Sequence, residues 1–295
     1  MSKRTEWKYP EAIVSCEWLG ERIHDPNIRI YDCTTYLIYT DEHPQKPYDV
    51  ASGRSQYEKG HIPNAAFLDL QCDLSDNSSP YKFTLPNFEK LAETIKHKGI
   101  GDPYHIILYS GNGAQWATRI WWMVHVLGYE KVSVLDGGFS EWQRLSFPTE
   151  TGSNIFEPAD FEVNFDPNIF VGKDEVLSAI QDEKYCLINS LTEDIHLGLN
   201  PRYGRRGSIR TSVSIPFHGL LNTETGKLKR PEEVLKIYQS HAVFPDSRII
   251  SYCGGGIAAS LDAFMLRQLG FEQLQIYDNS LSEWAMSEDL PMEIG

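Results

Sequence analysis

The chain is written twice. Residues 127–142, LGYEKVSVLDGGFSEW, align without a gap on residues 269–284, LGFEQLQIYDNSLSEW, at a constant offset of 142. Upstream, IILYSGNG at 106–113 matches IISYCGGG at 249–256 at offset 143, and GHIPNA at 60–65 parallels GSIRTS at 207–212 at offset 147. The offset drifts slowly, as loop insertions would make it. A solenoid repeats every ~20–50 residues, so a period this long means two copies of a whole domain. A chain of 295 residues has the length for that.

Within each copy, short apolar strands alternate with helical patterns. In the first copy strands are predicted at Ile28–Tyr31, Ile106–Tyr109 and Val132–Leu135, with helices at Phe88–His97 and Ala114–Leu127. That alternation predicts an α/β fold, each copy a parallel sheet flanked by helices. Polar, Gly and Pro residues cluster at Gly152–Pro158, which sets the expected division. The first domain is expected at 1–151, a linker at 152–167 and the second domain at 168–295. The pair Trp121-Trp122 and the repeated Trp142 and Trp284 read as core and interface packing.

The copies differ at one position that bears on chemistry. The second reads Ser251-Tyr252-Cys253-Gly254-Gly255-Gly256-Ile257-Ala258, after a predicted strand at 248–252 and before a predicted helix at Ile257–Leu269 closed by Gly270. Three glycines let the backbone curl and turn N–H groups inward without Cβ clashes. Inward N–H groups at a helix N-terminus cradle an anion, here a thiolate. The helix terminus contributes about 0.3–2 kcal/mol, and direct N–H hydrogen bonds add to it, so the cradle favours a thiolate at neutral pH. The expected site is Cys253 with a cradle of Gly254, Gly255, Gly256, Ile257 and Ala258. The first copy has Ser110 there, and a cradle of this strength does not ionise a hydroxyl, so that copy is expected to be catalytically silent.

Composition narrows the partners. The formal net charge of −14 argues against nonspecific nucleic-acid binding, which needs a basic footprint. An anionic substrate must then find local positive charge. The richest basic stretch is 201–210, PRYGRRGSIR, and Arg202, Arg205, Arg206 and Arg210 are the substrate-binding candidates. The five cysteines are odd in number, contain no C-x-x-C and suit a reducing compartment. Cys16, Cys33, Cys72 and Cys186 lack a glycine cradle and read as packing residues. No run reaches the ~18 apolar residues of a membrane span, and MSKRTEWKYPEA has no apolar leader segment. The cytoplasm is the expected location, with no membrane partner.

Four motifs, taken together and in order, carry a family resemblance. They are Tyr57-Glu58-Lys59-Gly60-His61-Ile62-Pro63, Arg119-Ile120-Trp121-Trp122-Met123, Leu135-Asp136-Gly137-Gly138 and Tyr252-Cys253-Gly254-Gly255-Gly256. Along nearly its whole length the chain resembles the two-domain rhodanese / 3-mercaptopyruvate sulfurtransferase family. The resemblance implies two tandem rhodanese-like domains, an inactive first one, and a persulfide on Cys253 of the second. It implies double displacement: a small-molecule sulfur donor loads Cys253, and cyanide or a thiol, a protein thiol included, removes the sulfur. It implies no metal and no organic cofactor.

The donor is where the chain departs from its relatives. Members that prefer thiosulfate carry basic residues after the cysteine, where this chain has Gly254 and Gly255. Members that prefer 3-mercaptopyruvate carry a serine two after the cysteine, with an Asp and a His from the first domain. Here Gly255 holds the serine place, Asp76 is kept, and Phe83 holds the histidine place. The family's Asp-x-Arg strand end reads Asn189-Ser190-Leu191. With no side chain placed to protonate a leaving group, thiosulfate is the expected donor and 3-mercaptopyruvate the alternative. A rhodanese-like phosphatase needs Cys-x5-Arg, and Ala259 stands where that arginine would be. A non-catalytic rhodanese-like binding module would have dispensed with Cys253.

Overall fold

The computed structural model describes residues 6–40 and 46–295. In the first half the strands are β1 (Ile13–Val14), β2 (Ile28–Asp32), β3 (Thr35–Tyr39), β4 (Tyr48–Ser52), β5 (Ala66–Phe67), β6 (His105–Tyr109) and β7 (Val132–Leu135). In the second they are β8 (Phe170–Val171), β9 (Tyr185–Asn189), β10 (Ser208–Ile209), β11 (Val213–Ser214), β12 (Arg248–Tyr252), β13 (Leu274–Tyr277) and β14 (Met292–Glu293). Five strands of each half form a parallel sheet, in the orders β5-β2-β6-β7-β1 and β11-β9-β12-β13-β8. The two orders match strand for strand, so the sequence repeat is a repeat of topology. The central strands are buried on both faces, which is why they are rich in Ile, Leu and Val with no polar alternation; the serines they contain, Ser133 and Ser251, are themselves buried.

The predicted elements form close to their expected bounds. The helix before Gly128 runs Ala114–His125, ending two residues early, and the one after the glycines runs Ala258–Gln268. Gly128 and Gly270 both have φ of +88°, the left-handed turn that ends each helix. These two helices pack against each other along the repeat axis. Thr118 and Ser260, equivalent by the 142 offset, share a hydrogen bond of 2.9 Å. Trp122 donates to the Ser260 carbonyl at 3.0 Å, and the Trp121 and Phe264 rings meet edge to face at 5.0 Å. One hydrophobic cluster therefore runs through both halves. Trp142 and Trp284 are fully buried and donate to the carbonyls of Pro148 and Pro291, a second contact the repeat preserves.

The segment expected to link the halves lies along the first one. Arg29 donates to Glu157, and the N–H groups of Asn154, Ala159 and Asn164 bond Tyr57, Lys96 and Leu127. The antiparallel hairpin β3–β4, with Tyr39 opposite Tyr48, is an addition that the α/β alternation did not predict. Among the described residues, no helix is long and apolar enough to cross a membrane.

Candidate active site

Cys253 follows β12 directly and is 2% exposed. The helix Ser280–Trp284 turns the loop's carbonyls away from the thiol. Leu281 N–H donates to the Cys253 carbonyl, and Ser282 donates to the Gly254 carbonyl through both its N–H (3.0 Å) and its hydroxyl (2.6 Å). Ser280 Oγ accepts from Cys253 N–H at 3.0 Å and from Gly256 N–H at 3.2 Å. Among the described residues, the N–H groups of Gly254, Gly255, Ile257 and Ala258 find no acceptor. These four are free to hold an anion on the Cys253 sulfur. Gly256 departs from the expected cradle, because Ser280 already takes its N–H. Its part is conformational: φ is +73°, and a Cβ would lie 2.6 Å from the Asp278 carbonyl oxygen and 2.8 Å from Arg119.

The first half builds the same turn and closes it. Phe139 N–H donates to the Ser110 carbonyl, as Leu281 does to Cys253. Gly111 N–H, however, donates to Thr34 Oγ1 at 2.8 Å, and Asn112 N–H to Ser110 Oγ at 2.9 Å. The amides that stand open at Gly254 and Gly255 are therefore satisfied internally at Gly111 and Asn112. The Ser110 hydroxyl is spent as the acceptor for Asn112, and the Thr34 hydroxyl as the acceptor for Gly111.

Arg119 fixes the open loop from the other half. Its guanidinium is fully buried, pairs with Asp278 at 2.5 Å, and donates to the carbonyls of Phe83 (2.9 Å) and Gly256 (3.4 Å). Asp278 in turn accepts from Leu85 N–H at 2.7 Å, and Thr84 bonds Asn279. Asp136 plays the corresponding part in the other direction, accepting from Leu228 N–H at 2.7 Å. Among the described residues no arginine pairs with it, and Leu261 occupies the repeat position of Arg119. Burial pushes the Asp136 carboxyl up to about 6. Ser280, Ser282, Arg119 and Asp278 were not among the residues expected to shape the site. The motif around Arg119 and the repeated aspartates were the available signals.

An aromatic wall covers the loop. Tyr203 packs so closely on Gly254 that a Cβ there would collide with its phenol. A Cβ at Gly255 would lie 3.5 Å from Tyr48 Oη, 3.5 Å from the Lys82 carbonyl and 3.8 Å from the Phe83 ring. Tyr48 stacks on Phe83 and meets Tyr39 and Tyr203 edge to face. Outside this wall lies a cavity of about 350 Å³, lined by Tyr48, Tyr203, Ser282, Lys82, Lys46 and Met286 among others.

The expected substrate arginines do not converge. Arg205 is a correction: its three guanidinium nitrogens face the carbonyls of Trp284, Ala285 and Glu288, so it holds the chain end of the Ser280–Trp284 helix. Arg202 lies over the Tyr39 ring at 4.1 Å and donates to Pro47, tying the hairpin to the second half. Arg206 and Arg210 are exposed and make no side-chain hydrogen bond or ion pair among the described residues. Phe83 does stand beside Gly255, but Asp76 faces its own turn and accepts from Ser78 at 3.0 and 2.7 Å. Burial pushes the thiols of Cys16 and Cys186 up to about 12 and about 11, and those of Cys33 and Cys72 upward too. Each of the four is thereby pushed towards the thiol form, and Cys72 departs from the packing reading because it is exposed.

Comparison with known proteins matches this architecture. The profile of the rhodanese-like domain matches twice, at residues 15–145 and 174–287. Thiosulfate sulfurtransferase of Rattus norvegicus is 31% identical over 283 residues, covering 92% of this chain and 91% of its own. Human 3-mercaptopyruvate sulfurtransferase is 32% identical over 285 residues, covering 93% and 92%. The crystal structure of SseA, a 3-mercaptopyruvate sulfotransferase from Escherichia coli, superposes with a TM-score of 0.76 at 30% identity, covering 91% of this chain and 98% of that one.

Proposed function

This chain belongs to the rhodanese-like family and is a rhodanese-type sulfurtransferase, and from that premise we propose that Cys253 carries the transferred sulfur as a persulfide. The observation that supports this reading is the contrast between the two loops. Both turns are the same, but only the second keeps its amides open and has a thiol at their focus. The Cys253 thiolate attacks the donor sulfur, and the amides of Gly254, Gly255, Ile257 and Ala258 hold the anionic persulfide until cyanide or a thiol removes its outer sulfur.

For the donor, 3-mercaptopyruvate is the better-supported choice. The thiosulfate expectation rests on two premises: no proton-donating side chain at the serine and histidine places, Gly255 and Phe83, and a loop of arginines to admit a dianion. Tyr48 Oη stands beside Gly255, and the loop arginines are tied to backbone or exposed. Lys82, at the rim of the cavity, offers a charge for a single carboxylate. Thiosulfate is the second reading, favoured by the likeness to the rat thiosulfate sulfurtransferase. The test runs purified protein with each donor and cyanide as acceptor, following thiocyanate. A higher kcat/KM with 3-mercaptopyruvate is expected. A higher value with thiosulfate returns the second reading, and transfer from neither refutes both.

A further inference from the structure

A mercaptopyruvate donor sets a chemical demand that thiosulfate does not. Sulfite leaves without a proton, whereas the carbon fragment leaves as an enolate and is helped by a positioned acid. The side chains at 255 and 83 cannot give one. The nearby serines are committed: Ser282 Oγ donates to the Gly254 carbonyl and Ser280 Oγ to the Tyr277 carbonyl. Tyr203 lies against Gly254 and packs that side of the loop. Tyr48 Oη lies 3.5 Å from where a Cβ at 255 would stand, lines the cavity outside together with Ser282, and donates to no carbonyl among the described residues.

Resting on the reading of 3-mercaptopyruvate as donor, we propose that Tyr48, reaching across from the first half on strand β4, is the catalytic proton donor to the leaving enolate. The step balances as follows. The Cys253 thiolate forms an S–S bond to the donor sulfur, and the C–S pair passes into the enolate of pyruvate. The two sulfurs of the new S–S bond together lose two electrons, and C3, once the enol has tautomerised, has gained two. Tyr48 gives its proton to the enolate oxygen, and the S–H proton of the new persulfide restores the phenol. The enol then tautomerises, leaving Cys253 persulfide anion and pyruvate. Burial raises the Tyr48 pKa, so the hydroxyl keeps its proton through the neutral range.

Tyr48→Phe removes one oxygen and tests this directly. The variant should lose about 10²-fold in kcat with 3-mercaptopyruvate, within the ~10²–10⁴ range of general acid catalysis, with little change in KM. Loading of Cys253 from thiosulfate, read by intact mass, should persist. Adding Gly255→Ser should restore about tenfold of the lost turnover, because its Cβ has ordinary clearance and its hydroxyl enters the vacated space. A merely structural role for Tyr48 predicts equal loss with both donors and no rescue, and that result overturns the proposal. So does a larger loss in Tyr203→Phe than in Tyr48→Phe. A wild type that loads sulfur only from thiosulfate also overturns it, while the Cys253 persulfide reading stands. Full sulfur transfer by folded Cys253→Ser sinks that reading instead.

Discussion

Arg119→Leu is an experiment the chain has already performed in its other half. Leu261 stands at the equivalent position, and the aspartate on that side, Asp136, has its carboxyl pushed up from 3.8 to about 6 by burial. Removing Arg119 leaves Asp278 with the Leu85 N–H, and leaves the carbonyls of Phe83 and Gly256 without their guanidinium donor. Breaking one partner out of a buried pair costs about 3–5 kcal/mol. The Asp136 side gives an independent figure: a rise of roughly two pKa units at about 1.4 kcal/mol each is about 3 kcal/mol. The two agree. The second also predicts pH dependence. A carboxyl raised in the folded state binds its proton more tightly there than in the unfolded chain. Stability is therefore gained as pH falls from about 6 towards 4 and lost as it rises through that window. Arg119→Leu should thus be about 3 kcal/mol less stable than wild type at pH 8 and recover a large part of that at pH 5. Urea unfolding followed by tryptophan fluorescence, with seven tryptophans to report, measures both. A loss below ~1 kcal/mol at pH 8, or one equal at the two pH values, refutes the argument that this pair fixes the loop.

Two further perturbations test the core and the loop. Asp262 is fully buried in the helix after the glycines, and burial pushes its carboxyl up to about 7 against the pull of Ser190 and Tyr238. The fold must hold that proton while the unfolded chain already gives it up above about pH 4, so Asp262→Asn should stabilise by about 4 kcal/mol at pH 8 and about 2 kcal/mol at pH 5, checked by urea unfolding at both. Gly256→Ala should lower turnover at least tenfold and cost ~1–2 kcal/mol from the left-handed backbone alone, checked by kinetics and a thermal melt, because its Cβ meets the Asp278 carbonyl oxygen and Arg119.

The repeat made the fold legible. Once 127–142 was seen to align on 269–284, the matching order of the two sheets followed, and the helix ends at Gly128 and Gly270 were fixed by residues that tolerate positive φ. The focus of the site was legible for the same reason, since Cys253 and Ser110 differ at one repeated position. The loop's support was not. Nothing local in the sequence singles out Ser280 and Ser282, and only their hydrogen bonds place them under the loop. Arg119 lies in an apolar run, and nothing local shows that it crosses to Asp278, 159 residues away. The tyrosine wall was missed because β3 and β4 form an antiparallel hairpin outside the α/β alternation, and its contact with the loop is long-range. The arginines misled for the opposite reason. Clustered in sequence between 202 and 210, they take different partners, Arg202 the β3–β4 hairpin and Arg205 the carbonyls at the end of the Ser280–Trp284 helix, while Arg206 and Arg210 face solvent.

The central claim is that the open amides of the second loop hold sulfur on Cys253. Intact-mass spectrometry of the wild type, Ser110→Ala and Cys253→Ser after incubation with 3-mercaptopyruvate, and separately with thiosulfate, tests it most directly. Wild type and Ser110→Ala should each gain the mass of one sulfur atom from at least one of these donors, localised by peptide mapping to Cys253 and removed by cyanide. Cys253→Ser should gain none while keeping the wild-type circular dichroism. Sulfur found on Cys16, Cys33, Cys72 or Cys186, or gained undiminished by Cys253→Ser, would contradict the account.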